Sequence, residues 1–380
     1  MKSISRRTCL RRLAVAAGPT LPFISTGRVR AGEAAPPTGG EIAAIAALAR
    51  RFREKFGVPG LSVAFARRGE LVYQAAFGMA DEAAGEVLTT DHRFRIASIS
   101  KPITAVAIFT LLEQGKLGLD DKVFGPDGQL APAPGTKLHP GVADITIRHL
   151  LTHTCGGWRN DGDDPMFRHR DLDHPALIAR TLRDQPLEHT PGERYAYSNF
   201  GYCLLGRVIE KLTGESYAGH LQDHIFPRCG IAGMTIAGNT LAERQPAEVI
   251  YHGRNGEDPY NMNVRRMDAH GGWLATPRDL VKFLVRTDGN PAPPDLLKQA
   301  TLREMFTGSP ANPGYSSGWS INSAPNHWHG GSLPGSSTIA VQTASGLCWA
   351  GLANSRTKDI DGALDQLMWN MVRAVPAWTA

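Results

Sequence analysis

Residues 103–112, ITAVAIFTLL, are apolar almost all the way round a helix, with only Thr104 and Thr110 interrupting. A helix without a polar face belongs inside a core. Yet this one opens with Ser98-Ile99-Ser100-Lys101, two hydroxyls and an amine at the point where the chain dives inside.

The two ends of the chain supply the sheet that such a core needs. Ile42, Ile45, Leu48, Phe52 and Phe56 recur at helical spacing over roughly residues 41–56, and Gly57 and Pro59 end the pattern. Leu61, Val63 and Phe65 alternate, Arg67-Arg68-Gly69-Glu70 turns, and Leu71, Tyr73 and Phe77 continue a hairpin. Near the carboxyl end, STIAVQTASGLCWAGLANS predicts two strands around Ala344-Ser345-Gly346, and residues 360–372 predict a closing helix. Between lie helical patterns (ITIRHLLTH, HPALIARTLRD, FGYCLLGRVIEKLTG) and irregular connections; NDGDDP at 160–165 and NPAPP at 290–294 read as surface loops. The simplest architecture is α+β: an antiparallel sheet from both termini, flanked by helices, with a mostly helical insert. The expected division is 38–97 with 262–380 for the sheet and 98–261 for the insert. No repeat at 20 to 50 residues is visible.

Arg6 and Arg7 precede a weakly apolar stretch and then Val29-Arg30-Ala31, which reads as a twin-arginine export signal over residues 1–31. Removing it takes away seven positive charges and no acid, so +5 becomes −2. The basic character therefore belongs to the signal and does not argue for nucleic acid. The signal makes a periplasmic or extracellular protein the expectation; no other run suits a membrane span, so the mature chain is expected to be soluble, of unspecified oligomeric state. Cys155, Cys203, Cys229 and Cys348 are too irregularly spaced for a zinc site or a disulfide framework. No metal or cofactor is expected.

Ser98 and Lys101 stand three apart and share a helix face, while Ser100 points elsewhere. A serine hydroxyl becomes a nucleophile when a base takes its proton, and an amine is such a base only when neutral. Burial and the positive helix end both lower a lysine pKa, and the same helix end favours an oxyanion. By itself the pattern is weak, since about one or two Ser-x-x-Lys matches arise by accident in a chain this long. The other match, Ser355-Arg356-Thr357-Lys358, reads as a solvated turn.

Tyr197-Ser198-Asn199 is the only Tyr-x-Asn and sits at a helix entrance, where a phenol could relay a proton and an amide could orient substrate and lysine. Of three His-x-Gly matches, His139-Pro140-Gly141 reads as a turn and His270-Gly271-Gly272 as close packing before a helix. His329-Gly330-Gly331 leads into a sheet end, where a substrate backbone could lie along a strand. Gly314-Tyr315-Ser316-Ser317-Gly318 fits Gly-x-Ser-x-Gly, but Pro313 precedes it, a strand-like WSINS follows, and the later histidines, His327 and His329, come before any later acid, the wrong order for a nucleophile elbow.

In this order and spacing, Ser98-x-x-Lys101, Tyr197-x-Asn199 and His329-x-Gly331 resemble the serine β-lactamase and penicillin-binding superfamily. The likeness is greatest to class C β-lactamases, D-alanyl-D-alanine carboxypeptidases, D-aminopeptidases and β-lactamase-like carboxylesterases. The blocks ITIRHLLTHTCGGW, PGERYAYSNFGYCLLGRVIEKLTGESY, HGGWLATPRDLVKFL and HGGSLPGSSTIAV extend the resemblance over nearly the whole chain after the signal. It implies a β-lactamase/transpeptidase-like fold and an acyl-enzyme on Ser98. Lys101 would be the activating base, Tyr197 the proton relay and Asn199 the orienting amide, with His329, Gly330 and Gly331 binding substrate. The backbone N–H groups of Ser98 and Ser332 would form the oxyanion hole, each such donor being worth about 3 kcal/mol. His329 departs from the lysine of the usual Lys-Thr-Gly motif, which weakens the case for efficient β-lactam hydrolysis. The expected partner is a small-molecule or short-peptide substrate: a D-amino-acid peptide, a β-lactam or, alternatively, a small ester. A non-catalytic penicillin or peptidoglycan binder is the remaining reading.

Overall fold

The computed structural model describes residues 36–378 except 133, 134 and 255, so the export signal expected at 1–31 lies outside the described residues. Helix α1 (Gly39–Phe56) starts at a capping box between Thr38 and Glu41 and stops at Gly57 in the left-handed conformation. Strands β1 (Gly60–Arg67) and β2 (Glu70–Asp81) form the expected hairpin, with positive φ at both Arg68 and Gly69 as a tight two-residue turn requires. Strands β3 (Glu86–Val87), β4 (Phe94–Arg95), β5 (Thr235–Ile236), β6 (Trp273–Ala275) and β7 (Ser320–Ile321) are short. The longer β8 (His327–Leu333), β9 (Ser336–Gln342) and β10 (Leu347–Ala353) follow.

Seven strands form an antiparallel sheet in the order β3-β2-β1-β10-β9-β8-β7, so the first and last strand groups meet where β1 pairs with β10, Leu61 opposite Ala353. One face carries Leu61, Val63, Phe65, Val341 and Trp349 and packs under α1 and the closing helix Ile360–Arg373. Truncating an aromatic such as the fully buried Trp349 to alanine costs about 3–5 kcal/mol. The opposite face presents Ala64, Ala66, Cys348 and Ala350, small side chains beside the core that encloses helix α2 (Ser100–Glu113). Every residue of α2 from Ser100 to Leu111 is buried, as its uniformly apolar sequence demands.

Two sequence expectations change. The ITIRHLLTH helix is only Ile147–Leu151, because His153 turns the chain with φ 57°. The loop at 160–165 is exposed through Asp163, but Asp164 is fully buried, capping the short helix Pro165–Arg168 with a hydrogen bond from Met166 N at 2.8 Å. The four cysteines of the described residues are free and buried, and burial pushes the Cys155 thiol up to about 11.

Candidate active site

A single 3₁₀ turn, Ala97–Ile99, leads from β4 towards α2 and carries Ser98 at its centre. Ala97 has φ 50°, a left-handed conformation that costs a non-glycine residue about 1–3 kcal/mol and persists only where the surroundings enforce it. The enforcement comes from β8 and β9: Thr338 Oγ1 donates to Ile96 O at 2.9 Å. A Cβ on Gly331 would stand 2.3 Å from that carbonyl and 3.0 Å from Ala97 Cβ. Glycine at 331 is thus what lets β8 lie against the turn, whereas a Cβ on Gly330 would meet nothing nearer than Thr338 O at 3.7 Å. Ser332 follows, and both it and Ser98 line one cleft of about 330 Å³ together with Asn160, Phe167, Asn199, Gly271, Leu333 and Arg356.

Lys101 is fully buried below Ser98, and its Nζ makes three polar contacts: Ser98 Oγ at 3.1 Å, Asn199 Oδ1 at 2.7 Å and His270 O at 3.0 Å. Desolvation drives its pKa well below the usual lysine value, opposed by the charge of Asp164. A neutral amine has two N–H bonds and one lone pair. Asn199 Oδ1 and His270 O can only accept, so they take both N–H bonds and leave the lone pair facing the Ser98 hydroxyl. Asn199 Nδ2 donates to Asp164 Oδ2 at 2.8 Å, which orients the amide. Burial raises the Asp164 carboxyl to about 6, with the Asn199 bond acting against that shift.

Tyr197 stands on the other side of the lysine, its ring centroid 4.7 Å from Nζ. Burial raises the phenol pKa, partly countered by a hydrogen bond with the Ser98 side chain. Its partner Ser198 caps the helix Asn199–Thr213 through a bond from Gly201 N.

His329 does not present a charge to the cleft. It is buried, with Nδ1 2.6 Å from Gly330 O and Nε2 3.1 Å from Tyr315 Oη, and Tyr315 Oη lies 3.1 Å from His153 Nε2. At the far end His153 Nδ1 accepts from the backbone N–H of Ser198 at 3.1 Å. A backbone N–H only donates and a backbone carbonyl only accepts, so the direction of the whole chain is fixed. His153 donates from Nε2 to Tyr315, Tyr315 donates to His329 Nε2, and His329 donates from Nδ1 to Gly330 O. Both imidazoles are held neutral; burial takes His329 down to about 3 and lowers His153 strongly as well.

Of the eight residues singled out in the sequence, Ser98, Asn199 and Ser332 line the cleft, Lys101 and Tyr197 lie beside Ser98, and His329, Gly330 and Gly331 stand on β8 next to them without lining it. The sequence reading missed Asp164, His153, Tyr315 and the carbonyl of His270. Tyr315 sat in the rejected Gly-x-Ser-x-Gly pattern, and His270 in the His-x-Gly match assigned to packing alone. Arg356, in the supposedly solvated second Ser-x-x-Lys, instead reaches the cleft wall, paired with Glu257, while Ser355 beside it is fully buried.

The chain belongs to the Beta-lactamase family, whose model matches residues 45–370. Among its relatives is penicillin-binding protein 4 of Amycolatopsis lactamdurans, 28% identical over 80% of this chain and 82% of that protein. Esterase EstB of Burkholderia gladioli is 34% identical over 49% of this chain and 48% of its own. A solved structure of D-amino acid amidase from Ochrobactrum anthropi SV3, complexed with L-phenylalanine amide, superposes with a TM-score of 0.72. It is 25% identical and covers 90% of this chain and 99% of that one. The fold is thus that of β-lactamases and penicillin-binding proteins, and the family is one of serine hydrolases acting on small substrates. No helix among the described residues is long and apolar enough to cross a membrane.

Proposed function

We propose that the chain is an exported serine hydrolase working through an acyl-enzyme on Ser98, with D-amino-acid amides or peptides as acyl donors. The observation that carries this reading is the set of contacts around Lys101 Nζ, which leaves a lone pair for the Ser98 proton. Lys101 is the base, since Tyr197, with its pKa raised, stays a phenol. Ser98 Oγ attacks the carbonyl as its proton passes to Lys101, and backbone N–H groups of Ser98 and Ser332 hold the oxyanion. Collapse expels the amine, which receives its proton through Tyr197, and water then attacks the ester by the same route reversed. Asn199 orients the lysine, and Gly330 and Gly331 offer the strand edge for substrate. His329 supports that edge from behind by ordering Tyr315 and Gly330.

The preference for amides over β-lactams rests on the neutral, enclosed His329, which leaves no cation at that position for a β-lactam carboxylate. The likeness to D-amino acid amidase points the same way. Likeness to EstB favours a second reading, hydrolysis of small esters. A panel of D- and L-amino-acid p-nitroanilides, a chromogenic cephalosporin and short-chain nitrophenyl esters distinguishes these. The expected order is D-anilide above cephalosporin by kcat/KM; esters alone would replace the substrate assignment. Fluorophosphonate labelling of the wild-type chain but not of Ser98→Ala is expected, and failure to label the wild type would overturn the acyl-enzyme itself.

A further inference from the structure

Away from this cleft, beside the far end of α2, Glu215 lies between two histidines. Its Oε2 is 2.8 Å from His220 Nδ1 and its Oε1 3.0 Å from His224 Nε2. The three donor atoms lie within 4.8 Å of one another, and the imidazole centroids are 4.8 Å apart. We propose that Glu215, His220 and His224 form a binding site for one divalent first-row transition ion of the zinc type.

The donor set fits that class. Two imidazoles and one carboxylate suit zinc and its neighbours and are too nitrogen-rich for calcium or magnesium. Around a tetrahedral ion with bonds of about 2.0–2.1 Å, donors sit about 3.3 Å apart. The two carboxylate-to-imidazole separations, each to a different oxygen, open by a few tenths of an ångström. The widest separation in the set, up to 4.8 Å, closes by about 1.5 Å through side-chain rotation as the ion takes the place of the protons between the groups.

The backbone holds the set in place. Glu215 N donates to Thr213 Oγ1 at 3.2 Å, and Ser216 caps the short helix Tyr217–His220. The next segment, Leu221–Ile225, is a π-turn, a widened geometry frequent at functional sites, and it carries His224 alongside His220. A fourth coordination position opens into a cleft of about 200 Å³ lined also by Thr110, Gln114, Lys116 and Arg228. The two cations oppose a metal, but Arg228 is engaged with the carbonyl of Leu296 at 2.7 Å, and the Glu215 charge sits between the histidines. Thr110 lies nine residues beyond Lys101, about 13 Å along the helix axis, so the ion takes no part in chemistry at Ser98. It would clip the segment 215–224 beside the end of α2.

The full chain, stripped with a chelator, is titrated with Zn²⁺ by calorimetry and with Co²⁺ by visible absorption. One saturable ion per chain is expected, with the intense d–d bands of low-coordinate cobalt and a higher Tm in Zn²⁺. Glu215→Gln and His224→Ala are both at partly exposed positions and should retain the metal-free Tm. Each is expected to weaken binding more than about 100-fold, beyond the usual loss of an outer-shell partner. Wild-type affinity for Zn²⁺ weaker than about 1 mM, or tight binding unchanged in both variants, would overturn the assignment.

Discussion

The Asp164 carboxylate accepts a hydrogen bond from Asn199 Nδ2 at 2.8 Å, and that bond decides which end of the amide faces Lys101. The same carboxylate is the charge that opposes the lowering of the Lys101 pKa. Asp164 thus tunes both the position and the protonation of the base without touching Ser98.

Replacing it tests both effects. Asp164→Asn removes a negative charge that favours the ammonium, so the Lys101 pKa falls further and the acidic limb of kcat/KM moves to lower pH. The plateau drops as well, by up to about 100-fold, because an amide has one acceptor oxygen where Asp164 uses two, so either Met166 N or the Asn199 amide loses its partner and the Asn199 orientation loosens. A pH–rate profile on an active substrate measures both, and an acidic limb displaced upward would contradict the proposed coupling.

Gly331 and Gly330 should respond very differently to one methyl group. Gly331→Ala drives Cβ into Ile96 O and Thr338 Oγ1, each 2.3 Å away, and pushes β8 off the nucleophile turn. A loss of about 100-fold in kcat/KM is expected, the scale of an ångström-sized misplacement. Gly330→Ala has room within the protein, so its loss should be at least about tenfold smaller and fall on KM, where the added methyl meets only substrate. Equal effects at the two positions would show that β8 does not hold the turn.

Ser98 and Ser100 are separated by the same logic. Ser100 Oγ is buried and spent on Ala97 O at 2.8 Å, so Ser100→Ala should keep turnover within about tenfold. Ser98→Ala should cost about 10⁴-fold or more. Steady-state rates check the pair, and comparable losses would move the nucleophile.

Tyr315→Phe leaves His153 Nε2–H without its acceptor and His329 Nε2 without its donor. Each orphaned group costs about 1–3 kcal/mol, readable as a lower urea midpoint at pH 7.5.

Acid should destabilise the native protein through the same histidines. Above pH 6.5 the imidazoles are neutral in both states. Between 6.5 and about 3 the unfolded chain takes the proton that native His329 refuses, so stability falls with pH by up to about 1.4 kcal/mol per unit. His153, His270 and His327 add in the same direction. Asp164, raised to about 6, works oppositely as its native carboxyl takes the proton first. Urea unfolding at pH 7.5, 6 and 5 should show a net fall; constant stability would mean that the histidines are not held neutral.

Much of this protein is written locally. The i, i+3 relation of Ser98 and Lys101, the alternation in β1 and the all-apolar face of α2 are properties of neighbouring residues, because strand and helix periods repeat within a few positions. The turn at Arg68-Gly69 and the closing helix Ile360–Arg373 were legible for the same reason.

Folding alone decided which distant polar groups complete the site. Asp164 lies 35 residues from Asn199, His153 lies 162 from Tyr315, and the His270 carbonyl lies 169 from Lys101. No periodicity links such positions, so loop acids and a discarded motif gave no sign of their partners. Packing removes water from these groups, and each then needs a hydrogen-bond partner. Through that requirement the tertiary structure fixed the direction of the His153–Tyr315–His329 chain and the two acceptors that leave Lys101 its lone pair.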